Sequence, residues 1–342
     1  MNKFKYYFIL SITTLLLFSC SKNNDTPEVT PPRDYAVQYA TDITNIEEYL
    51  KTYSIDIIDN PGSPDDQDVT ITKIPVNGNQ PSIWSYKDNA SFPKLLSRDV
   101  KLHDITYKLY YLVLREGTGQ SPCNVDDVFT AYKGDYLNQV TTSGVTTLTT
   151  TEFTDIKFPQ MQSLYSLIRG WKEVFPQFKT GTYSSNPDGT ISYNDFGAGV
   201  MFIPSGLGYY ASGKGTIPAY APLIFSFKLY EMQRLDHEYR IVNNVPVSFP
   251  DGILSYQEDL DGDGYIWTKE ELPVGAINPD DSDGDGIPNF LDVDDDGDGY
   301  STKLEITDPL TGSSYPFASI PSCDGNTTDP ASIKKHLDKN CH

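Results

Sequence analysis

Three short acidic segments near the C-terminal end of this chain of 342 residues have the residue types and the spacing to bind a metal ion. In each segment three aspartates alternate with other residues, and a glycine follows the third. The nine aspartates are Asp259, Asp261, Asp263, Asp281, Asp283, Asp285, Asp294, Asp296 and Asp298. Alternating carboxylates in a short loop can converge on one hard cation, while the glycine permits the sharp turn. The pattern therefore predicts three calcium-binding loops.

The same register supplies the other ligands of each loop. The seventh residue would offer its backbone carbonyl, and the twelfth would offer an acidic side chain. The residues in these places are Tyr265, Ile287 and Tyr300 (seventh) and Glu270, Asp292 and Glu305 (twelfth). The spacing is that of EF-hand-type loops, but the long helices of paired EF-hands are missing, and residues 281–299 resemble thrombospondin type-3 repeats. We expect the calcium to be structural, in a stiffened stalk or a C-terminal interaction module. No catalytic group is interleaved with the loops, so we do not expect the metal to serve catalysis.

The acidity of the chain is concentrated around these loops. Residues 251–305 hold seventeen Asp and Glu against two Lys, a net charge of −15 out of −21 for the whole chain. Such a density of like charge keeps a segment extended unless cations neutralise it. A solvated acidic linker is the alternative, but it does not explain one spacing repeated three times. A chain this acidic, without a basic patch, gives no indication of nucleic-acid binding.

Histidine and cysteine give no second metal centre in the sequence. The four histidines are scattered, and the cysteines show no zinc-type spacing. In an oxidising compartment Cys323 and Cys341, which bracket the C-terminal tail, are the favoured disulfide pair. Cys123 is then expected to be free and buried.

The first twenty residues predict export and a membrane anchor. A basic start precedes a short apolar run that ends in the letters LFSC, and this run is too short to span a bilayer. The cysteine at its end, Cys20, resembles a bacterial lipoprotein processing site. The resemblance implies cleavage before Cys20, its lipidation, and an extracytoplasmic protein anchored to a bacterial membrane. An ordinary signal peptide that contains a cysteine is the alternative.

Between these two ends the pattern predicts a sheet and one short helix. Four segments rich in Tyr, Val, Leu and Phe are typical of strands: 106–117, 127–134, 200–204 and 222–232. Apolar residues recur at helical spacing at Trp171, Val174, Phe175 and Phe178. Pro176 should shorten that helix. Antiparallel strands with a single short helix indicate an α+β domain, in which a curved antiparallel β-sheet wraps around the helix.

Five pieces of this region, taken in order, resemble the motifs of the FKBP-type peptidyl-prolyl isomerases. They are EGTGQSP, AYKGDYL, LIRGW, IPSGLGYY and IPAYAPLIFSFKL, all within residues 106–232. The resemblance implies an FKBP-like fold and a hydrophobic pocket on whose indole floor a proline ring rests. Carried over by motif, the pocket residues are Tyr132, Leu167, Ile168, Trp171, Tyr209, Ile217 and Phe225, with Phe153 and Phe158 as further wall residues. The family's buried acid has only Asp155 as a counterpart, because its usual Phe-Asp doublet reads Glu-Phe-Thr-Asp here.

Such a pocket implies isomerisation of X–Pro bonds in exported, proline-containing polypeptides, without an acid, a base, a nucleophile or a cofactor. Rotation about the bond breaks amide resonance over a barrier of about 18–20 kcal/mol. An apolar enclosure removes water and so favours the twisted amide over the planar one. The alternative is a non-catalytic proline-binding chaperone or adaptor on the same scaffold. Each residue taken singly would also suit a plain core.

These patterns divide the chain into seven parts. They are a lipoprotein signal peptide (1–20), a disordered tether (21–35), an N-terminal extension with a short helix that begins at a capping box at Thr44 (36–100), an FKBP-like domain (101–235), a linker (236–256), calcium-binding repeats (257–305) and a C-terminal tail (306–342). Residues 182–199 are expected to form an added hairpin. Because the pocket and the loops share no residue, we expect calcium to order the repeats without altering the pocket.

Overall fold

The computed structural model describes residues 31–329 and 331–341. The predicted signal peptide and Cys20 lie outside the described residues. Contacts group residues 34–342 into one compact unit, and all the described helices and strands belong to it. Among the described residues, no helix is long and apolar enough to cross a membrane.

Strands dominate the fold, and the helices are few and mostly short. In chain order the elements are α1 (Tyr35–Thr52), β1 (Tyr53–Ile57), β2 (Val69–Lys73), β3 (Lys94–Leu102), β4 (Ile105–Arg115), β5 (Asp127–Thr142), β6 (Val145–Ser163), α2 (Arg169–Val174), β7 (Thr182–Ser185), β8 (Ile191–Asn194), β9 (Gly197–Ile203), β10 (Leu223–Gln233), β11 (Tyr239–Val242), β12 (Val245–Ser248) and α3 (Thr302–Glu305). Six of the strands form the main antiparallel sheet, in the order β3, β4, β9, β10, β5, β6. The predicted α+β class is therefore present.

The central strands β4, β9 and β10 of the main sheet are buried on both faces, and side chains alternate between the two faces along each strand. In β4, Leu109 and Tyr111 belong to the cluster that includes α2, whereas Tyr110 and Leu112 belong to the cluster that includes α1. The sheet thus lies between two apolar clusters. Helix α2 packs in the first cluster and helix α1 in the second.

Helix α1 begins earlier than the sequence predicts. Asp34 is its N-cap, and the Asp34 carboxylate accepts hydrogen bonds from two backbone N–H groups of the first turn. The predicted start at Thr44 is wrong, since that hydroxyl donates to the Ala40 carbonyl inside the helix. The last residue of the predicted tether is accordingly helical. Further along, the buried carboxylate of Asp42 accepts from both the N–H and the hydroxyl of Ser205, which fixes α1 to the chain after β9.

All four predicted strands are present, and β5 and β9 are longer than predicted. β5 and β6 pair over most of their length, so the Thr-rich stretch after residue 139 is a regular hairpin. Thr and Val favour the strand conformation, and residues 139–146 of this hairpin are exposed. β7 and β8 pair as the added hairpin expected within residues 182–199.

Helix α2 is one and a half turns long and is followed at once by a 3₁₀ turn, Phe175–Gln177. Pro176 lies in that turn and cannot continue the helix. Gly170 explains how closely α2 approaches the sheet. A Cβ atom on Gly170 would lie 2.6 Å from two side-chain carbons of Ile203 in β9. The glycine before Trp171 therefore permits the helix to pack on the strand.

The acidic segment packs onto the sheet domain, in contrast to the expectation of separate modules. Cys123 and Val125 share a buried cluster with Ile266 and Phe290. The side chain of the fully buried Asn124 both donates to the Ile266 carbonyl (2.6 Å) and accepts from the Ile266 N–H (2.9 Å). The predicted linker contains the β11–β12 hairpin. The sheet domain and the acidic segment belong to the same compact unit.

The predicted pairing of the cysteines is present in the structure. Cys323 and Cys341 form a disulfide. Cys123 is free and buried. Burial, together with the charge of Asp126, raises the pKa of the Cys123 thiol to about 12, so this thiol is unreactive at neutral pH.

Candidate functional site

Eight of the nine predicted pocket residues lie in one apolar cluster. Three are buried and five are partly buried: Trp171, Ile217 and Phe225, and Tyr132, Phe153, Leu167, Ile168 and Tyr209. The ninth, Phe158, is 85% exposed. Phe158 falls where the pairing of β5 with β6 is interrupted, between the Thr130–Gln160 and Tyr132–Ile156 pairs. The structure therefore leaves Phe158 out of the cluster.

Aromatic rings form the centre of the cluster. The Trp171 ring meets Tyr132 and Phe225 edge to face, with ring centroids 5.0 and 5.2 Å apart, and stacks on Phe175 at 4.9 Å. Phe153 meets Phe225 edge to face at 5.5 Å. Edge-to-face contacts suit the charge distribution of aromatic rings. Trp171 is 3% exposed, so it lies at the base of the cluster, with the partly buried residues around it.

A second glycine permits the wall of this cluster to close. A Cβ atom on Gly134, in the AYKGDYL motif, would lie 2.5 Å from the Phe153 ring and 2.9 Å from the Phe225 ring. Any larger residue would separate β5 from these two rings. The glycine in the motif therefore has a packing reason.

Two tyrosine hydroxyls belong to the cluster. Burial raises the pKa of Tyr132, and burial followed by the proximity of Tyr132 raises the pKa of Tyr209. Both hydroxyls thus stay protonated at neutral pH and can donate a hydrogen bond. Ile168 precedes α2, and its carbonyl accepts the Trp171 N–H at 3.0 Å.

Asp155 lies at the surface. Its side chain is 33% exposed, and its carboxylate pairs with the Lys157 ammonium at 3.6 Å. Asp155 therefore does not fill the place of a buried acid.

A set of residues that the sequence did not single out connects α2 to the acidic segment. The Arg169 guanidinium donates to the Glu271 carbonyl at 2.7 Å and lies 3.3 Å from the centroid of the Trp267 ring. The Lys172 ammonium, only 5% exposed, pairs with the Glu271 carboxylate at 2.5 Å. These contacts link residues about a hundred positions apart, so no local pattern signals them.

The first predicted calcium loop itself touches α2. Tyr265 is buried, and its hydroxyl donates to the Glu173 carbonyl at 2.9 Å and accepts from the Gln177 amide at 2.8 Å. The Arg98 guanidinium lies over the Tyr265 ring and pairs with the buried Glu173 carboxylate at 2.6 Å. The helix that carries Trp171 is therefore held by the loop segment on one side and by the sheet on the other.

The three loops adopt one conformation. In each, the N–H of the sixth residue, a glycine, donates to the carboxylate of the first aspartate at 2.8–3.0 Å. The N–H of the seventh residue donates to the carboxylate of the aspartate at the fifth position, at 2.7 Å. Carboxylate oxygens of the first, third and fifth residues lie within 4.8 Å of one another in every loop. This all-oxygen donor set fits a hard divalent cation.

The predicted closing acids differ among the loops. Glu305 is buried with both carboxylate oxygens unpartnered, and burial beside Asp296 and Asp298 raises its pKa to about 8. The pKa of Asp292 rises to about 6, chiefly through burial and then through Asp285. Glu270 is exposed. The third loop thus has the closing residue that a cation would need, whereas the first loop is open on that side.

Comparison with known proteins gives partial matches. The family model described as BamM C-terminal matches residues 250–330, the segment that holds the three loops. No curated protein matches. Among solved structures, a peptidyl-prolyl cis-trans isomerase from Pseudomonas syringae pv. tomato str. DC3000 is 21% identical and has a TM-score of 0.29; the match covers 44% of this chain and 87% of that chain. FkpA from Escherichia coli is 26% identical with a TM-score of 0.27; the match covers 37% of this chain and 48% of that chain.

Proposed function

We propose that the cluster around Trp171 binds proline-containing segments of exported polypeptides and catalyses cis–trans isomerisation of the X–Pro bond. The observation that carries this proposal is that eight residues, Trp171 among them, drawn from motifs spread over about a hundred positions, share one apolar cluster. A plain core would not require partly buried tyrosines at its rim. The apolar base and the two neutral hydroxyls supply what the reaction needs.

The chemistry follows from the environment of the amide. An apolar enclosure strips water from the X–Pro bond and penalises the charge-separated planar form more than the twisted one. The Tyr209 hydroxyl and the Ile168 N–H would hold the substrate carbonyls while the prolyl ring rests on Trp171. Acceleration requires that these contacts fit the twisted amide better than either planar isomer. A thousandfold rate increase needs only about 4 kcal/mol of such discrimination.

The test is a proline-isomerisation assay on the protein without its signal peptide, since the loop segment packs on α2 and should be kept. Tyr209→Phe removes one hydroxyl and little else, so we expect the rate to fall several-fold while the circular dichroism spectrum stays unchanged. Phe158→Ala, at the exposed predicted wall position, is the matched control and should retain the wild-type rate. Equal rates in wild type and Tyr209→Phe would argue against the proposed role of the hydroxyl.

A binding module without turnover is the second candidate. It is favoured by the surface position of Asp155, which leaves the cluster without the buried acid found in FKBP-type isomerases. A binder predicts that proline-containing peptides bind with Trp171 fluorescence changes but exchange their isomers at the uncatalysed rate. The same assay, with binding measured in parallel, separates the two functions.

We further propose that the three loops bind calcium as a structural ion and that Cys20 carries a lipid that holds the protein at a bacterial membrane, on its extracytoplasmic side. The shared hydrogen-bond pattern of the loops supports the first part, and the LFSC sequence supports the second. Calorimetric titration with calcium tests the loops. Asp283→Asn should lower the number of bound ions by weakening the second loop, while Asn186→Ser, in the added hairpin, should not.

A further inference from the structure

A second group of carboxylates lies away from the first, third and fifth positions of the loops. Asp251 and Glu258 lie just before the first loop and Asp295 lies in the third loop, yet their carboxylate oxygens lie within 4.8 Å of one another. They are 2%, 3% and 1% exposed, respectively. In contrast to the loop aspartates, most of which are accessible, this group is shut off from solvent.

Five of the six carboxylate oxygens of this group have no hydrogen-bond partner. Both carboxylate oxygens of Glu258, both of Asp295 and one of Asp251 are inaccessible and unpartnered. The other oxygen of Asp251 accepts the Ile253 N–H at 2.6 Å. No ion pair within the described residues involves any of the three. Burying a charged carboxylate without a partner costs several kcal/mol. Three charged carboxylates buried together therefore need a cation to neutralise them.

Two further carboxylates add charge beside this group. Asp236 and Glu238 form a second close group with Asp251, and each has one buried, unpartnered oxygen. Lys303 offsets part of this charge at Asp251, and its ammonium donates a hydrogen bond to the Pro250 carbonyl at 2.8 Å. The local charge thus remains strongly negative.

We propose that Asp251, Glu258 and Asp295 form an additional site for a divalent cation of the calcium class. Ligand oxygens at about 2.3–2.6 Å from an ion lie at most about 5 Å apart, which is the spacing observed here. Carboxylates alone, with five free oxygens, suit calcium better than zinc, which prefers nitrogen and sulfur, or magnesium, which keeps several waters. Glu258 precedes the first loop and Asp295 belongs to the third, so one ion would join these loops to the chain that precedes them.

Ion counting tests the proposal, with calcium alone as the probe and the chain without its signal peptide. Glu258→Gln and Asp295→Asn should each bind one calcium ion fewer than wild type, whether or not the three loops bind calcium. Asp188→Asn, at an exposed acid in the turn of the β7–β8 hairpin, is the matched control and should bind as many ions as wild type. Magnesium at the same concentration should raise the melting temperature less than calcium does; an equal rise would contradict the calcium assignment.

Thermal unfolding gives a second readout that does not depend on the count. In chelator, Glu258→Gln removes a repelling buried charge and should melt at a higher temperature than wild type. In calcium, the same variant should gain less stability than wild type, because ligand binding stabilises only a folded site that can hold the ion. A contrary result is that Glu258→Gln binds as many ions as wild type and differs from wild type in melting temperature by the same amount in chelator and in calcium. These carboxyls would then share protons, and the proposed site would not exist.

Discussion

Neutralising Glu271 should destabilise the protein far more than neutralising an exposed glutamate in an equally short ion pair. The Lys172–Glu271 pair (2.5 Å) joins α2 to the acidic segment, and its lysine side chain is 5% exposed. The Lys179–Glu116 pair (2.6 Å) has side chains 43% and 48% exposed. Glu271→Gln leaves a buried ammonium without its counter-charge. Breaking a fully buried pair costs about 3–5 kcal/mol, and because the Glu271 side chain is 23% exposed we expect about 2–3 kcal/mol.

The matched control, Glu116→Gln, should cost under about 1 kcal/mol, as exposed pairs do. Equilibrium unfolding in guanidinium chloride, followed by tryptophan fluorescence in calcium, measures both free energies. Glutamine keeps the size of the side chain and one acceptor oxygen, so the difference reports the buried charge. If Glu271→Gln loses no more stability than Glu116→Gln, the acidic segment does not cover Lys172, and the link between the loops and α2 is wrong.

Two further predictions concern the ends of the chain. Cys20→Ser should move the protein from the membrane to the soluble fraction, because the acyl chains on Cys20 are the only attachment proposed. The anchor would be contradicted if the variant stays in the membrane fraction and the wild-type protein incorporates no labelled lipid. Burial, and then Lys334 and Lys335, lowers the pKa of His336 to about 3. Since this is below the value of about 6.5 in the unfolded chain, His336 contributes stability that is full above pH 6.5 and is lost as the pH falls towards 3. Between pH 7 and pH 5 the loss is at most about 2 kcal/mol, and His336→Gln should lose correspondingly less than wild type in the same unfolding titration.

The order of the motifs along the chain predicted eight residues that share one apolar cluster, and the glycines of two motifs have a local packing reason. Gly170 is required by the approach of α2 to Ile203, and Gly134 by the packing of Phe153 and Phe225. The strand alternation in β4 likewise fixes which side chains face α2. Phe158 was misplaced because a local interruption in the β5–β6 pairing changes which face a side chain meets.

The features that sequence reasoning missed depend on contacts between distant residues. Asp34 and Thr44 both suit a helix start, and the choice between them is coupled to the burial of Asp42 against Ser205, which lies after β9. The Lys172–Glu271 pair and the Asp251–Glu258–Asp295 group likewise join separate stretches. A charge count alone shows an acidic segment. It does not distinguish accessible loop carboxylates from buried ones.

Exchange NMR on a proline-containing peptide measures directly whether the proposed pocket on Trp171 catalyses the isomerisation of X–Pro bonds. The cis–trans exchange rate is measured with wild type, Trp171→Ala and Phe158→Ala at equal concentration. Trp171→Ala removes the base of the pocket and costs about 3–5 kcal/mol of stability, so its circular dichroism spectrum must first be shown to match that of wild type. We predict that wild type and Phe158→Ala accelerate exchange equally and that folded Trp171→Ala leaves it at the uncatalysed rate. Acceleration by folded Trp171→Ala at the wild-type level would contradict the account.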